Sequence, residues 1–295
     1  MIKLERLLSR SLLAIALAEF LALTVICEGV GMFESMVPVN RERHGHKKVR
    51  ADNNFSFASH FHLAYLTMHE FARAASIYPV VFLEESQNDT FRPVALLGLE
   101  AGENLFVSAQ GEWLASYIPA IIRRYPFALT KAGDDRYVVC LDEASSMIND
   151  DEGLPLFDEQ GEPTQVIENV RKYLGELQQM DQMTQAFTQF LQANNLLTPL
   201  NMRVNGSSGV RNISGCYVIN EERMNKFSNE KFLEVREKGF LPAIYAQLIS
   251  LSQIERLASM QKEGAALNVE REPLGQVVAA AKSAKSTKNS SKNLQ

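Results

Sequence analysis

The sequence predicts an α+β fold, with an antiparallel, sheet-rich N-terminal half and a mostly helical C-terminal half. Two patterns carry this expectation. Between residues 78 and 142, short β-branched and aromatic runs alternate with tight turn signals, as in an antiparallel meander. After Pro163, apolar residues recur at three- and four-residue steps, the period of a helix with one buried face. The bulk composition agrees with a folded globular chain: 46% of residues are hydrophobic and 22% charged.

Taken in order, the first 31 residues form an apolar leader or a mis-assigned extension. Lys3, Arg6 and Arg10 precede an apolar run from Leu12 to Ile26, which carries Glu19 in its middle. That run has the length of a signal-peptide core and is short for a spanning helix, which needs about 20 residues. Three readings stand: an extension before a start at Met32, a membrane anchor, or an export signal. Residues 32–262 are the expected globular region, sheet-rich over 32–142 and helical over 163–262. The basic stretch Arg41–Arg50 reads as an exposed connector, and Leu63–Ile77 has helical spacing. "YPVVFLEE", "RPVALLGLE" and "NLFVSA" read as three strands joined by turns. "LASYIPAIIRRYPF" is a short helix bounded by its prolines, and "FALT" and "RYVVCLD" are two further strands.

Asp142–Glu168 holds nine acidic residues with no Lys or Arg, and its Gly and Pro punctuation predicts a surface loop. A long helix follows from Pro163, with Gly175 as a candidate kink. "NGSSG" marks a hairpin turn, and two more helices follow it. Residues 263–295 are the expected disordered tail, too poor in apolar surface to offset chain ordering.

The chemistry-bearing residues cluster in one place. All five histidines, His44, His46, His60, His62 and His69, fall within a short stretch. An H-x-H pair on a strand puts both rings on one face and can join a carboxylate around a metal. His62 and His69, seven residues apart, would stand about 10.5 Å apart on a helix, too far for one ion. The expectation is therefore no metal and no cofactor, with His60, His62 and His69 as the alternative metal set. The loop "INDDEGLPLFDE" has Asp150, Glu152, Gly153 and Glu159 in calcium-loop register, but Ile148 stands where a ligating Asp is required. No phosphate loop or nucleophile elbow occurs. Trp113, Arg123 and Arg124 are the candidate ligand or partner surface. The plainer reading sets both arginines against a helix C-terminal dipole.

A net charge of −5 and a pI near 5.7 predict no attraction to nucleic acid. Cys140 and Cys216 lie in strand-like runs without metal-type spacing, which fits buried thiols in a reducing compartment. The expected location is cytoplasmic, with anchoring or export through residues 1–31 as the alternative. Membrane contact is expected only through that segment.

The strings "MVPVNRERH", "YPVVF", "VALLGLEAGENLFV", "GEWLASYIPAIIRRYPF", "LFDEQGEPT" and "LPAIYAQLISLSQIERL" occur in this order. Together they resemble the bacterial SapC family, named from a surface-array protein gene cluster, over roughly Met36 to Met260. The resemblance implies a link to cell-surface protein systems and supplies no reaction, cofactor or catalytic residue. The expected function is a non-catalytic accessory or binding protein with a protein or peptide partner. The alternative is a metal-dependent enzyme using the His44–His69 cluster.

Overall fold

The structure, a computed structural model, describes residues 32–85, 88–133, 136–206 and 209–270. The leader and the tail beyond Glu270 lie outside the described residues, as do the readings made of them.

Along the chain come β1 (Met36–Pro38), α1 (Arg41–His44), β2 (Lys48–Val49) and β3 (Leu63–Tyr65). A 3₁₀ turn, Met68–Glu70, leads into α2 (Phe71–Ala74), β4 (Val80–Glu85) and β5 (Thr90–Leu96). Next are α3 (Ala120–Arg123), β6 (Phe127–Lys131), β7 (Tyr137–Asp142), β8 (Ile148–Asn149) and β9 (Leu154–Pro155). The second half holds α4 (Gln165–Ala193), β10 (Leu197–Gly206), β11 (Gly209–Ile219), α5 (Glu221–Met224), α6 (Asn229–Glu237), α7 (Leu241–Ser250) and α8 (Gln253–Glu270).

The strands make three antiparallel sheets, in the orders β1-β7-β6, β10-β11-β4-β5-β3 and β8-β2-β9. The fold is α+β. The long β10–β11 hairpin of the second half extends the sheet begun in the first, which ties the halves together. Val80, Val81 and Phe82 are all fully buried, so the first half of β4 is covered on both faces of the sheet and reads as a continuous apolar run. The helices obey their local signals. The Ser228 side chain caps α6 by accepting from Lys231 N, and Gly239, at φ +71°, turns the chain out of it. Proline then stands in the first turn of α7, where a missing N–H costs least.

Several expectations are corrected. Leu63–Ile77 is not one helix. It is a strand, a 3₁₀ turn and a single helical turn, because Leu63–Tyr65 is captured as the edge partner of β5. "NLFVSA" does not enter a sheet; only Val107 bridges to Trp113. Arg41–Arg50 is not a bare connector, since it forms α1 and β2 and buries His44 completely. The acidic loop is partly ordered, for β8 and β9 clasp β2 from both sides. Residues 263–270, assigned to the tail, continue α8. No helix among the described residues is long and apolar enough to cross a membrane.

Candidate functional site: a cleft beside the edge strand

The candidate site is a cleft of about 440 Å³ against β3, β4, β5 and α3. Its floor follows from strand register. Leu83 opposes Arg92 and Tyr65 opposes Val94, so these side chains share one face of the sheet. Met32, Ile121 and Ile122 form an apolar wall, and His60, His62, Glu84 and Glu85 supply polar groups. The Arg92 guanidinium is held by Glu85 at 2.6 Å and lies over the Tyr65 ring at 5.8 Å. Tyr65 donates to Asp181 Oδ1 at 2.5 Å, which fixes the ring. Burial, with the Asp181 charge beside it, pushes the Tyr65 phenol far above its ordinary range, so it acts as a donor.

The wall needs an anchor, because a helix of one turn is not stable alone. Glu70 provides it. This buried carboxylate accepts from Tyr117 Oη at 2.7 Å and Ala120 N at 2.8 Å on Oε1, and from Thr67 N at 2.9 Å and Thr67 Oγ1 at 3.0 Å on Oε2. Four donors satisfy the charge that burial would otherwise penalise. They also pin the N-terminus of α3 to the 3₁₀ turn, which sets Ile121 and Ile122 at the cleft. The Tyr117 phenol is pushed up by burial and by the Glu70 charge. The T-x-x-E capping box, Thr67 to Glu70, was the sequence signal for this anchor.

The structure separates the histidines. His44 is buried, with Nε2 at 3.0 Å from Glu143 Oε1, and Glu143 also takes a two-pronged contact from Arg43. Those partners, Arg43 first, hold the Glu143 carboxyl below its usual range. His46 meets Asp150 at the surface. His60 and His62 line the cleft, whereas His69 is exposed on the 3₁₀ turn and does not. No group of three or more His, Cys, Asp or Glu side chains in a metal-holding arrangement occurs among the described residues. The alternative set His60, His62 and His69 is thus not brought together.

Trp113, Arg123 and Arg124 are not among the residues that line the cleft. The Trp113 indole donates to Tyr78 Oη at 3.0 Å and Tyr117 O at 3.1 Å, and it packs on the main core. Arg123 is exposed, donates to Ile118 O at 2.9 Å and lies over the Tyr117 and Tyr173 rings. Arg124, named with them as a possible ligand or partner surface, is buried with its guanidinium over Phe33.

A larger groove, about 670 Å³, runs between α4 and the β6–β7 pair. Its polar side is mainly neutral, with Gln178, Gln179 and Gln182, and its Arg171 is engaged by Glu168 at 2.6 Å. The cleft by β3 is the stronger candidate, since it joins an apolar body to several convergent charged and titratable groups.

The motif order read from the sequence is matched by a family model. The model for SapC covers residues 39–257. The chain belongs to the SapC family. The matched span takes in β3, β4, β5 and α3, and so nearly all of the cleft; Met32 lies before it. No curated protein and no solved structure matches the chain.

Proposed function

We propose that this SapC-family chain is a non-catalytic binding protein that seats an apolar group of a protein or peptide partner in the cleft beside β3. The observation that carries the reading is the cleft's make-up: an apolar floor and wall, bordered by the Arg92–Glu85 pair and by His60 and His62. Such a site takes an aliphatic or aromatic side chain and orients it through polar groups at the rim. The family's name is what suggests that the partner belongs to a cell-surface array.

The test is selection from a random peptide library on the full chain, followed by affinity measurement. Enriched peptides are expected to share one apolar anchor flanked by a charged residue. Ile121→Asp is expected to weaken them at least about tenfold, the scale of burying one charge in an apolar contact. Thermal unfolding of the variant serves as the control for fold. Peptides that bind Ile121→Asp and the wild type equally would remove the cleft from the reading.

A further inference from the structure

We propose that the cleft takes its partner as an added β-strand, laid along the outer edge of β3. This mode rests on the cleft reading above and adds how the partner is held. β3 ends the five-stranded sheet, with β5 on one side and no strand on the other. The phase of its ladder shows which backbone groups are already paired. Leu97 N donates to His62 O at 2.8 Å, and Leu66 N donates to Pro93 O at 3.0 Å. In an antiparallel pair, residues that turn their N–H and C=O towards the partner strand alternate with residues that turn them away. His62, Ala64 and Leu66 therefore face β5, and Leu63 and Tyr65 turn outward. Leu96, opposite Leu63, obeys the same phase, because its N–H goes to Pro79 O at 2.9 Å on the β4 side.

The two N–H and two C=O groups of Leu63 and Tyr65 have no hydrogen-bond partner among the described residues. Leu63, Ala64 and Tyr65 all line the cleft. Successive side chains of a strand point to opposite faces, so lining by three consecutive residues brings the cleft onto the backbone of β3. Backbone groups buried without a partner are rare, which leaves these four to water or to a ligand. The other end of the same sheet is closed to such pairing. There Asn220 N donates to Leu196 O at 2.7 Å, which turns Leu197 and Pro199 of β10 outward. Leu197 O already accepts from Arg223 Nη1 at 3.4 Å, and proline has no N–H to offer. β3 has neither device, for it holds no proline and no charged residue.

The occupant follows from the spacing. Leu63 and Tyr65 are two residues apart, about 6.8 Å along a strand, and each offers one donor and one acceptor. Another extended main chain repeats the same pair of groups at the same interval. An extended partner segment that pairs with β3 turns every second side chain to the sheet face that floors the cleft. The backbone bonds are indifferent to the partner's sequence, and the apolar cleft selects it.

Two measurements on the full chain test this, with the tightest peptide from the library selection as the probe. In amide exchange read residue by residue by NMR, saturating peptide is expected to slow Leu63 and Tyr65 at least about tenfold. Ala64, already in the ladder with β5, is expected to exchange slowly with and without it. In the peptide, N-methylation at one position at a time is expected to weaken binding about tenfold at alternate positions and little between them, since only every second N–H faces β3. Peptides that depend on Ile121 but fail either readout would overturn strand addition and leave the cleft reading standing. A selection that yields no binding peptide, or only peptides indifferent to Ile121→Asp, would remove the cleft reading and this proposal with it. Slowed exchange of the same two amides that grows with protein concentration and needs no peptide would make a second copy the occupant, and would overturn the partner named here.

Discussion

One helix serves two cores, and they are unequal. The C-terminal part of α4 gives Phe187, Phe190 and Leu191 to the main core, packed with the five-stranded sheet, α2, α7 and α8. Its N-terminal part gives Ile167 and Leu174 to a smaller cluster under the β1-β7-β6 sheet. In the main core, aromatic rings touch in series: Phe71, Phe82 and Phe187 lie within 6.0–6.4 Å of one another, and Phe240 lies 5.2 Å from Phe187. The smaller cluster borders the larger groove, into which Ile167, Val139 and Phe157 also face. A core that is enclosed and ring-packed resists opening more than one bordered by a groove. The site follows the same division: the cleft wall is anchored through Glu70 on the main-core side.

The strongest way to break the comparison is to empty each end of α4 in turn. Phe187→Ala should cost about 3–5 kcal/mol, because its ring contacts three others and the site cannot collapse around the loss. Leu174→Ala should cost about 2–3 kcal/mol, the lower part of the range for such deletions, since the neighbouring groove leaves room to relax. Chemical denaturation gives both values. Amide exchange should show Phe187→Ala loosening the whole chain and Leu174→Ala loosening β6, β7 and the first turns of α4. Equal, global effects from the two would mean a single cooperative core.

Glu70→Gln sharpens the comparison next. The amide keeps one acceptor oxygen and turns an NH₂ towards donors that now lack a partner. Stranding one or two of them should cost about 2–3 kcal/mol. The loss should appear as increased exchange in α3 and a weakened cleft, with the smaller cluster untouched. A variant as stable as the wild type would show that Tyr117 and Ala120 do not depend on the carboxylate.

How far the sequence revealed this depends on the length of each signal. β4, β5, β6 and β7 carry enough alternating or apolar residues to be read, and α4 enough turns. β2, β8 and β9 are two residues each, too short for any period to show. Leu63–Ile77 misled because its spacing suits a helix, while pairing with β5 decided the outcome. The cleft was half legible: His60 and His62 were singled out, but Arg92 and Ile121 reach it only through sheet register and the Glu70 anchor.

The smallest expected effect falls on the seam between the two cores. Gly175 sits inside α4, next to Leu174, and was the candidate kink. The helix instead runs unbroken from Gln165 to Ala193. Gly175 has ordinary helical backbone, and a side-chain carbon placed there would meet nothing within 4 Å. Glycine in a helix interior loses more backbone freedom on folding than alanine does. Gly175→Ala should therefore stabilise the protein by about 0.5–1 kcal/mol, the usual difference between the two residues in a helix. The gain should be largest in amide protection along the first half of α4, where the smaller core is weakest. Gly175 also lines the larger groove, and the added methyl would enter it. A destabilised Gly175→Ala protein would show that the groove closes over this position in solution, and that the smaller core is better packed than its open border suggests.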